Sequence, residues 1–149
     1  MSALGAEIAQ RAAAESPLWE EALRPEPAFE PVFSPLAEER FALALETIYE
    51  GYLLHYGASR LFAPSDRDTA LLLGDALYAQ GLVHLSVLGA VEPVAALAEL
   101  ISLCAHMRGD GLDGDGEAWA ATAAGLGDGG SADAEALARA LAAHARLLG

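Results

Sequence analysis

The residues of this chain whose types and spacing come nearest to chemistry are carboxylates. Asp110, Asp113, Asp115 and Glu117 alternate with glycines, the flexible, oxygen-rich composition that calcium or magnesium takes as ligands. An EF-hand loop opening at Asp113 needs a bidentate glutamate at position 124, where the chain has Ala124. The run is thus expected to be a solvated turn, and at most a weak cation loop. Glu46 and Glu50 lie at i and i+4 and would present two carboxylates from one helix face, as a shared metal or a shared proton requires. Di-metal bundles add Glu-x-x-His motifs, and the sequence has none. The pair therefore reads as the exposed charged stripe of an amphipathic helix.

Four further residues make up a candidate polar core: Asp75, His55, His84 and Arg60. Asp75 follows Leu71, Leu72, Leu73 and Gly74, and a carboxylate in so apolar a helix costs several kcal/mol unless it is paired, hydrogen-bonded or reached by water. Arg60, Arg67 and the histidines are its candidate partners, and Asp75 is expected to serve as a structural hinge of the fold. His55 and His84 each read as a partly buried histidine with one hydrogen bond. The lone Cys104 can form neither an internal disulfide nor a Cys-x-x-Cys site. Gly-x-Ser-x-Gly, P-loop and dinucleotide glycine motifs are absent from the sequence. No catalytic residue, metal ligand set or cofactor is nominated.

The elements that must position these residues are helical. Five of the seven prolines (Pro17, Pro25, Pro27, Pro31 and Pro35) fall in the first quarter of the chain. Short helices are expected over residues 2 to 15 and 18 to 24, followed by an extended arm from Pro25 to Ser34, because alternating proline forbids helix. Its Phe29, Val32 and Phe33 should lie along the body of the fold or along a partner. Ser34 and Pro35 open a helix to about Tyr56, in which Phe41, Leu45, Ile48, Tyr52 and Leu53 share a buried face. Ser65 and Asp68 resemble a capping box for a helix over about 66 to 88, apolar nearly all round and therefore expected at the centre of a bundle. Gly89 ends it, and a hairpin leads into a helix over 92 to 107 whose Glu92, Glu99 and His106 share a solvated face. Residues 109 to 130 hold eight of the 15 glycines and should be mostly loop, with a short helix around Glu117 to Ala124. Ser131 then caps a last helix over 132 to 148. No run alternates as a strand does, so the expected fold class is all-α: a compact helical bundle over 35–149 with helices and a Pro-rich arm over 1–34.

Composition narrows the function further. The chain has 149 residues, 54% of them hydrophobic, and 22 Asp and Glu against 8 Lys and Arg, for a formal net charge of -14. Mean hydropathy is +0.29. That is material for one domain with a sizeable core, and its charge repels nucleic acid and anionic membrane surfaces. All eight basic residues are Arg, and Lys and Asn are absent, a bias that suggests a GC-rich, bacterial coding sequence. Glu7 precedes any basic residue at an N-terminus without an apolar core, against a signal peptide. The longest charge-free stretch, Ala76 to Val91, has 16 residues and would span about 24 Å as a helix, short of a bilayer's ~30 Å. A cytoplasmic protein without a membrane span is expected.

One stretch resembles a known family. Ala70 to Ala79, with its leucines, Gly74, Asp75 and Tyr78, followed by Leu82, the break at Gly89 and the helix from Val91 to Ser102, is similar to the central Gly-Asp helix pair of the polyprenyl diphosphate synthases, members of the isoprenoid synthase superfamily. Gly51 to His55 stands where that family has an apolar helix ending in His-Asp-Asp. The resemblance covers about residues 36–109. It implies an isoprenoid-synthase-like scaffold, dimerisation and an apolar, isoprenoid-like ligand. The two Asp-rich motifs that bind magnesium and diphosphate in that family are missing, since Tyr56 and Gly57 follow His55 and no Asp-Asp-x-x-Asp occurs. The expectation is a non-catalytic helical subunit that binds or interacts, as a homodimer or in a hetero-complex with another protein. Two alternatives stand beside it. One is a component of a two-component prenyl synthase whose partner brings the metal-binding motifs, and the other is a structural assembly subunit.

Overall fold

The computed structural model describes residues 2–127 and 133–149. Among these, seven α-helices and two 3-10 turns account for the regular structure: α1 (Ala3–Glu15), α2 (Pro17–Glu21), 3-10 turns at Ser34–Leu36 and Glu39–Phe41, α3 (Ala42–Tyr56), α4 (Arg67–Val87), α5 (Val91–Gly109), α6 (Asp115–Gly125) and α7 (Ala134–Leu148). No strand occurs among the described residues, and the all-α expectation holds. Ser2, Ser16, Asp66 and Asp133 cap their helices by accepting a backbone N–H in the following turn. The α4 cap is therefore Asp66, bonded to the Thr69 N–H at 2.7 Å, and not the expected Ser65. The expected Ser131 cap lies outside the described residues.

The central helix is α3, which corrects the expectation that α4 would occupy the middle. Every residue of α3 from Ala44 to Leu54 is buried. Helix α4 buries only Ala70, Leu73, Gly74, Leu77, Gly81 and Leu85, and leaves Leu72 61%, Val83 62% and Val87 79% exposed. The two helices pack closely because glycines face each other across the contact. A Cβ on Gly81 would collide with Ile48 Cγ1, and one on Gly51 would stand 2.7 Å from the Gly74 carbonyl oxygen.

Two hydrophobic clusters flank α3. One gathers Val32, Phe33, Leu45, Tyr49, Tyr52, Leu97, Leu100, Cys104, Trp119 and Ala140 from the arm and helices α3, α5, α6 and α7. The other joins Ile8, Trp19, Phe29, Leu54, Leu61, Phe62, Leu73 and Leu77. The arm thus lies on the body of the fold, with Phe29, Val32 and Phe33 buried, as expected. Side chains from both sides of residue 34 fill the same clusters, so the boundary drawn there marks a change of composition. The helix expected from Ser34 to Tyr56 begins as two 3-10 turns and becomes α-helical only at Ala42.

Candidate functional site

Among the described residues, three constellations of polar groups stand out, the first and third of them adjoining where Arg60 lies 5.1 Å from the centroid of Tyr49. The first is built on Arg60, whose side chain is 3% exposed between Glu46 and Glu50, both fully buried. Its Nη1 donates to Glu46 Oε1 and its Nε to Glu50 Oε1, each at 2.7 Å. This corrects the reading of Glu46 and Glu50 as an exposed stripe. A buried carboxylate requires a paired charge and further donors, and both are supplied from outside α3. Glu46 accepts the backbone N–H groups of Val32, Phe33 and Ser34, while Glu50 accepts the Ser59 hydroxyl and the Arg60 N–H. Arg60 Nη1 also donates to the Glu30 carbonyl, and its guanidinium lies 4.1 Å from the centroid of Phe29. Burial opposes the Arg60 charge, yet the two carboxylates outweigh it and raise its pKa overall. The arm has no strand to satisfy its N–H groups, and Glu46 performs that task. Both expectations for Arg60 as an Asp75 partner and for Glu46 with Glu50 as solvent-facing fail for one reason: the loop after α3 folds back onto its polar face.

The second constellation is a latch between α3 and α4. His55 Nε2 lies 3.0 Å from Asp75 Oδ1, with the Asp75 side chain 69% exposed. The His55 ring stacks on Tyr78 at 5.2 Å and 5°, and it occupies the space a Cβ on Gly74 would need, at 2.7 Å. Gly74 and Asp75 therefore act together on one imidazole, the first making room for it and the second holding it. Asp75 reaches water rather than being sealed in the bundle. His84, the remaining member of the expected polar core, sits apart: it is half-buried near Arg11 and Glu7, and burial lowers its pKa.

The third constellation includes residues that motif reasoning did not single out. Tyr52 donates to Asp115 Oδ2 at 2.5 Å, and Arg108 donates from Nε to the same oxygen at 2.7 Å and from Nη2 to the Tyr52 oxygen at 2.9 Å. The phenol of Tyr49 lies 2.7 Å from His144 Nδ1. Burial first, then the hydrogen bond to Asp115, raises the Tyr52 pKa. For His144 burial is the main cause of a lowered pKa, so the ring is neutral at pH 7. Arg108, Asp115 and His144 border an open cavity of 410 Å³ with Gly111, Leu112 and Gly114. Asp115 is buried and committed to Arg108 and Tyr52, while Asp110, Asp113 and Glu117 are exposed. The expected cation loop is thus taken apart by the ion pair at Asp115. Among the described residues, no three His, Cys, Asp or Glu side chains gather as a metal site.

The buried carboxylates are consequently held in ion pairs, and Cys104 is buried with its thiol pushed up to about 12, chiefly by desolvation. Neither group is free to act as a base or nucleophile at neutral pH. Rings fill the interior of the bundle: Phe33, Tyr49, Tyr52 and Trp119 stack or meet edge to face at 5.1 to 5.8 Å. Apolar side chains also line open grooves at the surface. One of 610 Å³ runs between α1, α3 and α4, lined by Leu43, Thr47, Ala76, Ala79, Val83 and Val87 with Arg11, Glu15, Gln80 and His84 at its polar edge. The apolar surface continues beyond it to Leu88 and Val91 at the α4–α5 turn, 40% and 79% exposed. Among the described residues α4 is also the one helix that is long and apolar enough to cross a bilayer by length and composition, with a third of its apolar window buried. Its 21 residues match the helix expected over about 66 to 88 and extend beyond the 16-residue charge-free stretch whose length spoke against a membrane span.

No protein-family model matches the chain, and neither a curated protein nor a solved structure matches it.

Proposed function

We propose that this chain is a non-catalytic, isoprenoid-synthase-like helical subunit that works by binding another protein through the outward face of α4. The observation that carries the reading is the exposed row of Leu72, Val83 and Val87 on α4, with Leu88 and Val91 exposed at the turn that follows it. Removing aliphatic side chains of this size from water is worth about 1.5–3 kcal/mol each when burial is complete, and large side chains left exposed along one helix face are the raw material of an interaction site. The order of elements is in keeping with the resemblance, since α4 carries Gly74 and Asp75 and is followed by a three-residue break and α5. The role given to those two residues here, positioning His55, needs no diphosphate.

The purified chain is expected to release no diphosphate from allylic diphosphates in magnesium. Turnover above a no-protein control would overturn the non-catalytic reading. Its assembly is expected to depend on α4: Val83→Asp should leave the helical circular-dichroism spectrum unchanged and abolish complex formation measured by sedimentation. A complex indifferent to Val83→Asp would move the interaction to another face.

A further inference from the structure

The row on α4 has a defined shape and a charged border, and together they specify what would lie on it. At about 100° per residue, Leu72, Ala79 and Val83 point the same way, with Ala76 and Val87 turned slightly toward α1. From Leu72 to Val87 the row is about 22 Å long, four turns of helix, and its middle is made of the small residues Ala76 and Ala79, which form the floor of the 610 Å³ groove. A straight apolar row with a small-residue floor accepts the apolar face of one helix, as helix-in-groove recognition does.

The borders are acidic on both sides. Along α1, Glu7, Arg11 and Glu15 follow one another at i, i+4 and i+8. Arg11 is already paired with Glu7 at 3.3 Å, and Glu15 accepts a hydrogen bond from Gln80 of α4. On the opposite side of the row stand Asp68 and Asp75, both exposed. Counting Glu7, Glu15, Asp68 and Asp75 against Arg11, the frame carries a net charge of -3, on a chain of -14. A second copy would bring two such frames face to face, whereas a helix with basic flanks would neutralise them. Resting on the reading of the chain as an interaction subunit, we propose that the α4 row is the docking site of a basic amphipathic helix of about 15 residues from a different protein.

A fluorescein-labelled 16-residue peptide of Leu and Lys, with Leu at i, i+3, i+4 and i+7 spacing, is the probe, and the same peptide with Glu for Lys is its counterpart. Fluorescence anisotropy should show the Lys peptide binding at least about tenfold more tightly than the Glu peptide. Affinity should fall at least about tenfold in Val83→Asp and stay unchanged in Leu112→Asp, an exposed leucine away from the row. Equal binding of the two peptides, or binding indifferent to Val83→Asp, would overturn the proposal. So would a wild-type dimer in sedimentation equilibrium that Val83→Asp makes monomeric, which would make the occupant a second copy and leave the interaction-subunit reading standing. Retention on phosphatidylcholine vesicles that Val83→Asp abolishes would overturn it in favour of lipid. A wild-type monomer at high micromolar concentration that binds neither peptide would count against both the proposal and the reading beneath it.

Discussion

Helices α3 and α4 exchange the places that their compositions suggest. Helix α3 contains two glutamates and is buried from Ala44 to Leu54, whereas α4 is rich in Leu, Ala and Val and turns much of that surface to solvent. The difference lies in what other parts of the chain bring to each. The carboxylates of α3 are met by Arg60 and by the backbone of the Pro-rich arm, which make their burial tolerable. No described element covers the outer apolar face of α4. Polarity thus predicts exposure only when no partner is delivered, and apolarity predicts burial only when a cover is.

The sharpest way to break this contrast is to remove the charge that allows α3 to be buried. Arg60→Ala should strand two buried carboxylates and lower stability by about 3–5 kcal/mol, read as a shifted urea midpoint. If the arm owes its place to Glu46, the same variant should expose the chain to proteolysis between Pro25 and Pro35. A loss below about 1 kcal/mol would mean that the glutamates find water, and the contrast between the helices would collapse.

The next effect tests the contact between the two helices. Gly81→Leu inserts a side chain where even a Cβ collides with Ile48, and overpacking of this kind costs about 1–3 kcal/mol. A thermal melt indistinguishable from wild type would show that α4 can stand off from α3.

Smaller again is the effect of pH on the far side of α3. His144 is held neutral, with its pKa lowered by burial, while in the unfolded chain it takes up a proton below about pH 6.5. Its contribution is therefore present above that pH and is lost as pH falls through the folded value. Urea melts of wild type and His144→Gln should differ most at pH 7.5, with the difference shrinking as pH falls below about 6.5. Parallel curves would remove His144 from the account.

The least effect is expected at Asp75. With 69% of its side chain exposed, its contact with His55 is largely screened by water, and Asp75→Ala should change stability by less than about 1 kcal/mol. A loss comparable to that of Arg60→Ala would restore α4 as a bearer of essential buried charge.

Periodicity, proline and glycine placement made the helices legible in sequence: α1, α2, α4, α5 and α6 lie close to their expected spans, while α3 starts at Ala42, well after the Ser34–Pro35 opening expected for it. Asp75 was expected either to meet Arg60, Arg67 or a histidine or to reach water, and it reaches water while touching His55. The burial of Glu46 and Glu50 was not legible. An i, i+4 glutamate pair has the same spacing whether it faces water or a guanidinium, and the guanidinium arrives through a loop whose path depends on Leu61 and Phe62 entering the core. Arg60 itself was nominated, for the wrong carboxylate. Arg108, Tyr52 and His144 come from three helices and meet only through the packing of α5, α6 and α7 on α3. The one signal available was Asp115, which begins α6, where an acidic residue suits the helix N-terminus.

Cys104 gives the molecule a built-in reporter. Its sulfur is the only thiol in the chain, it is 1% exposed, and its deprotonation is displaced to about 12. Alkylating reagents can therefore reach a reactive sulfur only when α5 lifts from α4 and α6. The rate at which iodoacetamide labels the native protein counts those openings, without any dye, tag or added tryptophan, and it separates a partner that clamps the bundle from one that rests on its surface.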